Sequence, residues 1–163
     1  MFDMTFDLSV FDMFVSWERD TCVCCPSQKA MIKPGSFIQD MEPTVWFSVP
    51  STAIFIKLSG MLKPGRYPSL RFSLFCGQPL PVSSASPWLE AAPSSVLENL
   101  HGPTEFTIAC TLYRWNPVTS ASEAELEIVP IGYPYPGMNV LVAEREFERS
   151  RPRRRGGTID EWT

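Results

Sequence analysis

Residues 95–105 read SVLENLHGPTE. The stretch opens as an apolar, strand-like run over 95–100. It then passes into a loop built on Gly102 and Pro103, residues that end strands and set turns. Asn99, His101, Thr104 and Glu105 carry the polar chemistry of that loop. If the strand belongs to a parallel sheet, the loop lies at its carboxyl end, where open α/β sheets bind their ligands.

The flanking sequence supplies such a sheet. Upstream, TVWFSV at 44–49 is β-branched and aromatic, and RFSLFC at 71–76 is similar, so both read as strands. Between them, 51–62 has helical periodicity, with Pro50 near its first turn, Ser51 as a candidate cap and Lys63-Pro64-Gly65 as the stop. A weaker helix over 82–92, started or broken by Pro87, separates the second strand from the third. Nearer the N-terminus, Leu8–Glu18 has apolar residues at helical spacing, with Asp7 or Ser9 as candidate cap. A short strand is expected over 22–25 and a short helix over 35–41. Downstream, 106–115 reads as a strand or a short helix leading into one, and 139–143 as a last strand. Strands alternating with helices predict an α/β fold, a mostly parallel sheet with helices on its faces. Trp46, Phe47, Phe55, Phe72 and Phe75 are expected in its core.

Composition sets the remaining bounds. At 163 residues the chain is one domain or part of one. Hydrophobic residues make up 44%, charged residues 20%, and the mean hydropathy is −0.04, which excludes a disordered polar chain. No apolar run approaches the roughly 18 residues of a membrane helix. The acidic N-terminus lacks the basic start of a secretory signal. Residues 1–143 hold eight basic and thirteen acidic side chains, which argues against a nucleic-acid-binding surface. Residues 144–163, with six arginines and five acids, change texture and read as a charged tail outside the core. That tail is either solvated or a contact for RNA or anionic lipid.

Five cysteines at irregular spacing are not a disulfide framework. Cys22, Cys24 and Cys25 invite a zinc reading, but the second ligand pair is lacking and the chain has one histidine. Buried reduced thiols on a strand are the preferred reading, and a cytoplasmic location follows from it.

Five segments, in order, carry a family resemblance. Asn99–Glu105 (NLHGPTE) resembles the N-x-Y-G-P-T-E motif of adenylate-forming ligases, in particular amino-acid adenylation domains of nonribosomal peptide synthesis and of D-alanine:carrier-protein ligases. Residues 6–12 (FDLSVFD) resemble the family's F-D-x-S-x-x-E/D. Residues 49–52 (VPST) resemble the helix start that lines its acyl pocket. Residues 74–80 (LFCGQPL) resemble its G-E-x-L segment, with Gln78 for the usual Glu, and 130–134 (PIGYP) resemble its P-I-G-x-P. The similarity covers 1–142 and implies a slice of the large N-terminal domain of that fold, so 1–143 is expected to be a partial AMP-binding unit.

The resemblance implies chemistry as well. A carboxylate attacks ATP to give an acyl-adenylate, and the acyl group then moves to a carrier-protein thiol. Charge builds on phosphate oxygens, so a metal ion and fixed donors are required. By match, Thr104 meets the phosphate and Glu105 helps hold Mg2+, which prefers oxygen ligands. Gly77, Asn99, His101 and Gly102 fall where the family binds AMP, with His101 in place of an aromatic tyrosine. Asp7 matches the aspartate that pairs with a substrate α-amino group, so the implied acid is an amino acid. Leu8, Phe11, Thr52, Leu74, Cys76, Leu100, Ile108 and Ala109 match the pocket walls. They are apolar or small and suit a small or apolar side chain.

The family's lysine-containing phosphate loop, its ribose-binding Thr-Gly-Asp and its mobile C-terminal domain have no counterpart in these residues, so the chain alone is expected to be inactive in adenylation. Three roles follow: a ligase fragment, a non-catalytic nucleotide or amino-acid binder, or an orphan domain that assembles with another polypeptide. No nucleic-acid or membrane partner is implied.

Overall fold

The computed structural model describes residues 4–106 and 108–139. The chain forms helices α1 (Leu8–Glu18), α2 (Gln28–Ile32) and α3 (Pro34–Met41), then strand β1 (Val45–Ser48), α4 (Pro50–Leu58), β2 (Phe72–Phe75), α5 (Val82–Ala91) and β3 (Val96–His101). A 3-10 turn (Thr104–Phe106), β4 (Thr111–Arg114), α6 (Ser120–Glu123) and a two-residue β5 (Tyr133–Pro134) follow. One five-stranded sheet has the order β1-β2-β3-β4-β5. Pairing is parallel from β1 to β3, where α4 and α5 make the crossovers, and antiparallel from β3 through β5. The reversal follows from length: the connection from β3 to β4 is too short to carry a crossover back to the sheet's starting edge.

Strand alternation gives the sheet two faces. On one, Ser73, Phe75, Leu97, Tyr113 and Trp115 meet α3, α4 and α5 in the main core. Trp88 of α5 sits at its centre, fully buried, with its ring edge-on to Phe75 at 5.1 Å. Its indole N–H donates to Ser73 Oγ at 2.8 Å, so the polar tip is satisfied inside the core. On the other face Phe47, Leu74, Cys76 and Leu100 pack against α1 and the segment entering β4.

Several local expectations change. Residues 22–25 form no strand; they lie on an irregular segment with Cys22 and Cys25 exposed and Cys24 half-buried. A short apolar run becomes a strand only where a neighbour offers a ladder, and no strand among the described residues pairs with this segment. Phe55 and Phe72 are not core residues: they are 48% and 37% exposed, and alternation sets Phe72 on the face opposite Ser73 and Phe75, away from the main core. Trp46 is half-buried, while Phe47 and Phe75 are buried as expected.

Helix α4 stops at Leu58 rather than Leu62. Gly60 takes a positive φ of 70°, and its N–H reaches Lys57 O while Ser59 N–H reaches Phe55 O, which closes the helix a turn early. Its first turn is capped from outside, by Gln78 Oε1 accepting from Ser51 N–H at 3.1 Å, and not by the Ser51 side chain. At the start of α1 neither proposed cap operates. Asp7 sits at the N-cap position without a side-chain cap bond, and Ser9 Oγ instead donates to Phe6 O at 2.7 Å. Pro87 neither starts nor breaks α5, which runs through it. The missing proline N–H leaves Ser83 O without its helical partner, and the Lys57 ammonium donates to that carbonyl at 2.6 Å.

The last expected strand, at 139–143, falls almost wholly outside the described residues. So does the charged tail at 144–163. No helix among the described residues is long and apolar enough to cross a membrane.

Candidate functional site

The carboxyl ends of the three parallel strands lie side by side. They release the chain at Val49-Pro50, at Cys76-Gly77 and at His101-Gly102. Gly77 turns the chain out of β2 with φ 88°, a conformation that disfavours a β-carbon. Gly102 is required for a different reason. A Cβ there would lie 2.5 Å from Ala109 Cα, so only glycine lets the end of β3 press against the chain entering β4.

That close approach builds the site's apolar part. Leu8, Phe47, Leu74, Cys76, Leu100 and Ala109 form one buried cluster, with Phe11, Ile108, Leu112 and Tyr135 packed against it. All the expected pocket-wall residues except Thr52 are in this group. Thr52 sits half-buried in the first turn of α4 and is not part of it. Sequence reading placed Phe47 in the core without assigning it to this pocket, and it missed Leu112 and Tyr135. Phe47 and Leu112 were legible from strand alternation, since each occupies the same face as Leu74 and Leu100. Tyr135 lies beyond β5 and had no local signal. Phe11 meets Phe47 edge-on at 5.0 Å, which holds α1 against the sheet. Ile108 has φ 76°, a strained conformation for a β-branched residue, and its carbonyl lies 4.0 Å from Cys76 Sγ.

Asp7 stands half-buried at the head of α1, next to Leu8. Its charge is felt at Cys76. Burial chiefly pushes the Cys76 thiol above its ordinary range, against a hydrogen bond from the Gly77 backbone, and the Asp7 carboxylate adds to the rise. Tyr135 is likewise pushed up, by burial first and then by the Glu98 charge. Glu98 lies on β3, 7% exposed, and accepts from Arg114 Nε at 2.9 Å and Nη2 at 2.6 Å across the β3–β4 ladder.

The polar residues of the 99–105 stretch divide by depth. Asn99 is buried, with 3% exposure. Its amide nitrogen donates to Val129 O at 3.3 Å and Pro130 O at 2.9 Å, tying β3 to the segment 130–134. With both donors fixed, Asn99 Oδ1 is buried without a hydrogen-bond partner. A buried carbonyl oxygen left unpaired costs about 1–3 kcal/mol unless something donates to it. His101, Thr104 and Glu105 are exposed around the strand end, the last two on the 3-10 turn. Among the described residues, no group of three His, Cys, Asp or Glu is gathered that could hold a metal ion.

Behind Phe11, Phe47 and Leu74 the same sheet face opens into a groove of about 960 Å³, bounded by α1, the segment 21–24 and the end of α3.

The family model for AMP-binding enzyme matches residues 1–159. The D-alanine--D-alanyl carrier protein ligase of Bacillus velezensis is 30% identical over 147 residues, covering 86% of this chain and 28% of that protein. The L-proline--[L-prolyl-carrier protein] ligase of Streptomyces coelicolor is 34% identical over 160 residues, covering 96% of this chain and 29% of that protein. The crystal structure of the Vibrio cholerae adenylation domain AlmE in complex with glycyl-adenosine-5'-phosphate superimposes with a TM-score of 0.75 at 38% identity, over 82% of this chain and 24% of that one. The chain thus spans under a third of the length of the curated relatives it matches. By sequence and by fold, it belongs to the AMP-binding enzyme family.

Proposed function

We propose that these residues form the acyl-pocket and adenine-facing part of a cytoplasmic ligase that joins a small amino acid to AMP and passes it to a carrier-protein thiol. The observation that carries this reading is Asn99 Oδ1, a buried acceptor with no donor at the carboxyl end of β3. The exocyclic amino group of adenine is a planar donor of the kind it needs. His101 would lie against the base, and Gly77 and Gly102 keep the surrounding backbone free of β-carbons.

The preference for a small side chain rests on packing. The walls Leu8, Leu74, Cys76, Leu100 and Ala109 are each at most 9% exposed and pack on one another. The relatives agree in size of substrate: their names specify D-alanine and L-proline, and AlmE holds a glycyl-adenylate. Asp7, which makes no side-chain cap bond, would pair with the substrate α-ammonium.

In the reaction the amino-acid carboxylate attacks the α-phosphorus of ATP and pyrophosphate leaves. Thr104 would donate its hydroxyl to a phosphate oxygen. Glu105 is a single carboxylate on an exposed turn, which fits a Mg2+ ion that arrives with the nucleotide phosphates and keeps most of its other ligands from them and from water. When bound, the ion neutralises charge building on those oxygens.

Calorimetric titration with non-hydrolysable aminoacyl-sulfamoyl adenosines tests the reading. Glycyl, alanyl or prolyl forms are expected to bind at least about tenfold tighter than the phenylalanyl form, a difference of about 1.4 kcal/mol. Asn99→Leu is expected to abolish binding of all of them. Tighter binding of the phenylalanyl form, or no binding of any adenosine ligand, would overturn it. Amino-acid-dependent pyrophosphate exchange in the same samples separates a working ligase from a binder without catalysis.

A further inference from the structure

Three of the five thiols lie away from the pocket, on the irregular segment that joins α1 to α2. We propose that two of them, Cys22 and Cys24, form a redox-active dithiol at the rim of the groove, closed to a disulfide by a small-molecule disulfide such as oxidised glutathione.

The placement is specific to this pair. Both residues line the groove of about 960 Å³. The segment is neither helical nor turned, and Cys22 and Cys24 lie two residues apart on it, both against the same groove. In extended chain their Cα atoms are about 6–7 Å apart, at the upper edge of what a disulfide spans. A strand would resist the contraction needed, because its ladder fixes both ends. Among the described residues no strand pairs with the segment, so closing the pair breaks no sheet hydrogen bonds there. Cys22 is exposed and Cys24 half-buried, so a small oxidant can reach them. Cys76 and Cys110 differ: both are buried, and their thiols face the carbonyls of Ile108 and His101. Metal capture is a poorer fit, because no third ligand is gathered with the pair among the described residues.

The chemistry balances without a further reactant. One thiolate attacks a sulfur of oxidised glutathione, forming a protein–glutathione disulfide and releasing one glutathione thiolate. The second protein thiolate then attacks the protein sulfur of that bond and releases the other glutathione. Two cysteines are oxidised, one glutathione disulfide is reduced, and both leaving thiolates take up the protons that the cysteines lost. The product ties the chain between α1 and α2 into a small ring at the mouth of the groove.

The test uses the folded chain in glutathione buffers of graded oxidation, followed by intact mass. The expected product has lost two hydrogens and carries no glutathione. Cys25→Ser is expected to give the same product. Cys22→Ser and Cys24→Ser are expected to lose it and to retain glutathione at the remaining partner. Cys76 and Cys110 should stay reduced throughout, which reports that the fold is intact. Stable glutathione adducts on the wild-type chain without ring closure would overturn the proposal. So would ring closure that disappears in Cys25→Ser, since that would place the bond elsewhere.

Discussion

Asn99 donates to the carbonyl of Pro130 at 2.9 Å, and that bond decides which way its own carbonyl oxygen faces. Because the amide nitrogen is committed to Pro130 and Val129, the oxygen is left buried without a hydrogen-bond partner. Asn99→Leu should therefore act twice. Loss of the two donated bonds leaves two carbonyls unpaired and should lower stability by about 1–3 kcal/mol, read as a lower urea midpoint. Adenosine-ligand affinity should fall further than the stability loss explains. Full affinity in a folded Asn99→Leu protein would remove the adenine role from this residue.

Gly102 and Ala109 are in backbone contact, so Gly102→Ala is a steric test. The new methyl would meet Ala109 Cα at 2.5 Å, and backbone cannot swing aside as a side-chain tip can. Strain of about 1–3 kcal/mol is expected in thermal or urea unfolding. The pocket wall at Ile108 and Ala109 should shift with it, weakening aminoacyl-adenosine analogues. Gly65→Ala provides the contrast: its Cβ meets nothing within 4 Å, and only its positive φ of 68° opposes the change.

Lys57 serves the carbonyl that Pro87 leaves open. Lys57→Met should destabilise the chain by about 0.5–1.5 kcal/mol, the net worth of one such bond. In a Pro87→Ala background the restored N–H at position 87 can reach Ser83 O, and the same lysine change should matter less. A double-mutant cycle by urea unfolding measures the coupling. Additive effects would show that the ammonium does not compensate for the proline.

Alkaline pH should unfold this protein early. Burial pushes Cys76 above the ordinary thiol value of 9.0, and Tyr67, Tyr113 and Tyr135 above the ordinary tyrosine value of 10.0. The unfolded chain then releases these protons at lower pH than the folded one does. Their contribution is fully present below pH 9.0 and is lost as pH climbs through the raised folded values. The urea midpoint should be level to about that point and then fall. Cys76→Ala should flatten the first part of the decline and leave the tyrosine part in place.

Much of this architecture was legible in the chain itself. The helix at Leu8–Glu18 and the runs that became β1, β2 and β3 declare themselves by periodicity and β-branched or aromatic content, because those signals report which faces need burial. The motif at 99–105 marks the candidate site, since Gly-Pro turn chemistry after an apolar run puts polar groups at a strand end. The errors fall where a local pattern depends on a distant neighbour. The run at 22–25 is apolar enough for a strand but has no strand to pair with among the described residues. Phe72 reads as core, yet burial depends on which face the crossover helices cover. The α4 cap came from Gln78, more than twenty residues on, and Pro87 was tolerated because Lys57 reaches its orphaned carbonyl.

The division has a physical cause. Side-chain period, turn residues and helix stops act over a few neighbouring residues, so the sequence alone determined an α/β chain with its candidate site at the ends of the parallel strands. Hydrogen-bond satisfaction and close packing act through space. The collection of Leu8, Phe47, Leu74, Cys76, Leu100 and Ala109 into one cluster therefore belongs to the tertiary structure. So does the unpaired Asn99 oxygen, whose direction is set by two carbonyls about thirty residues away that hold the amide in place.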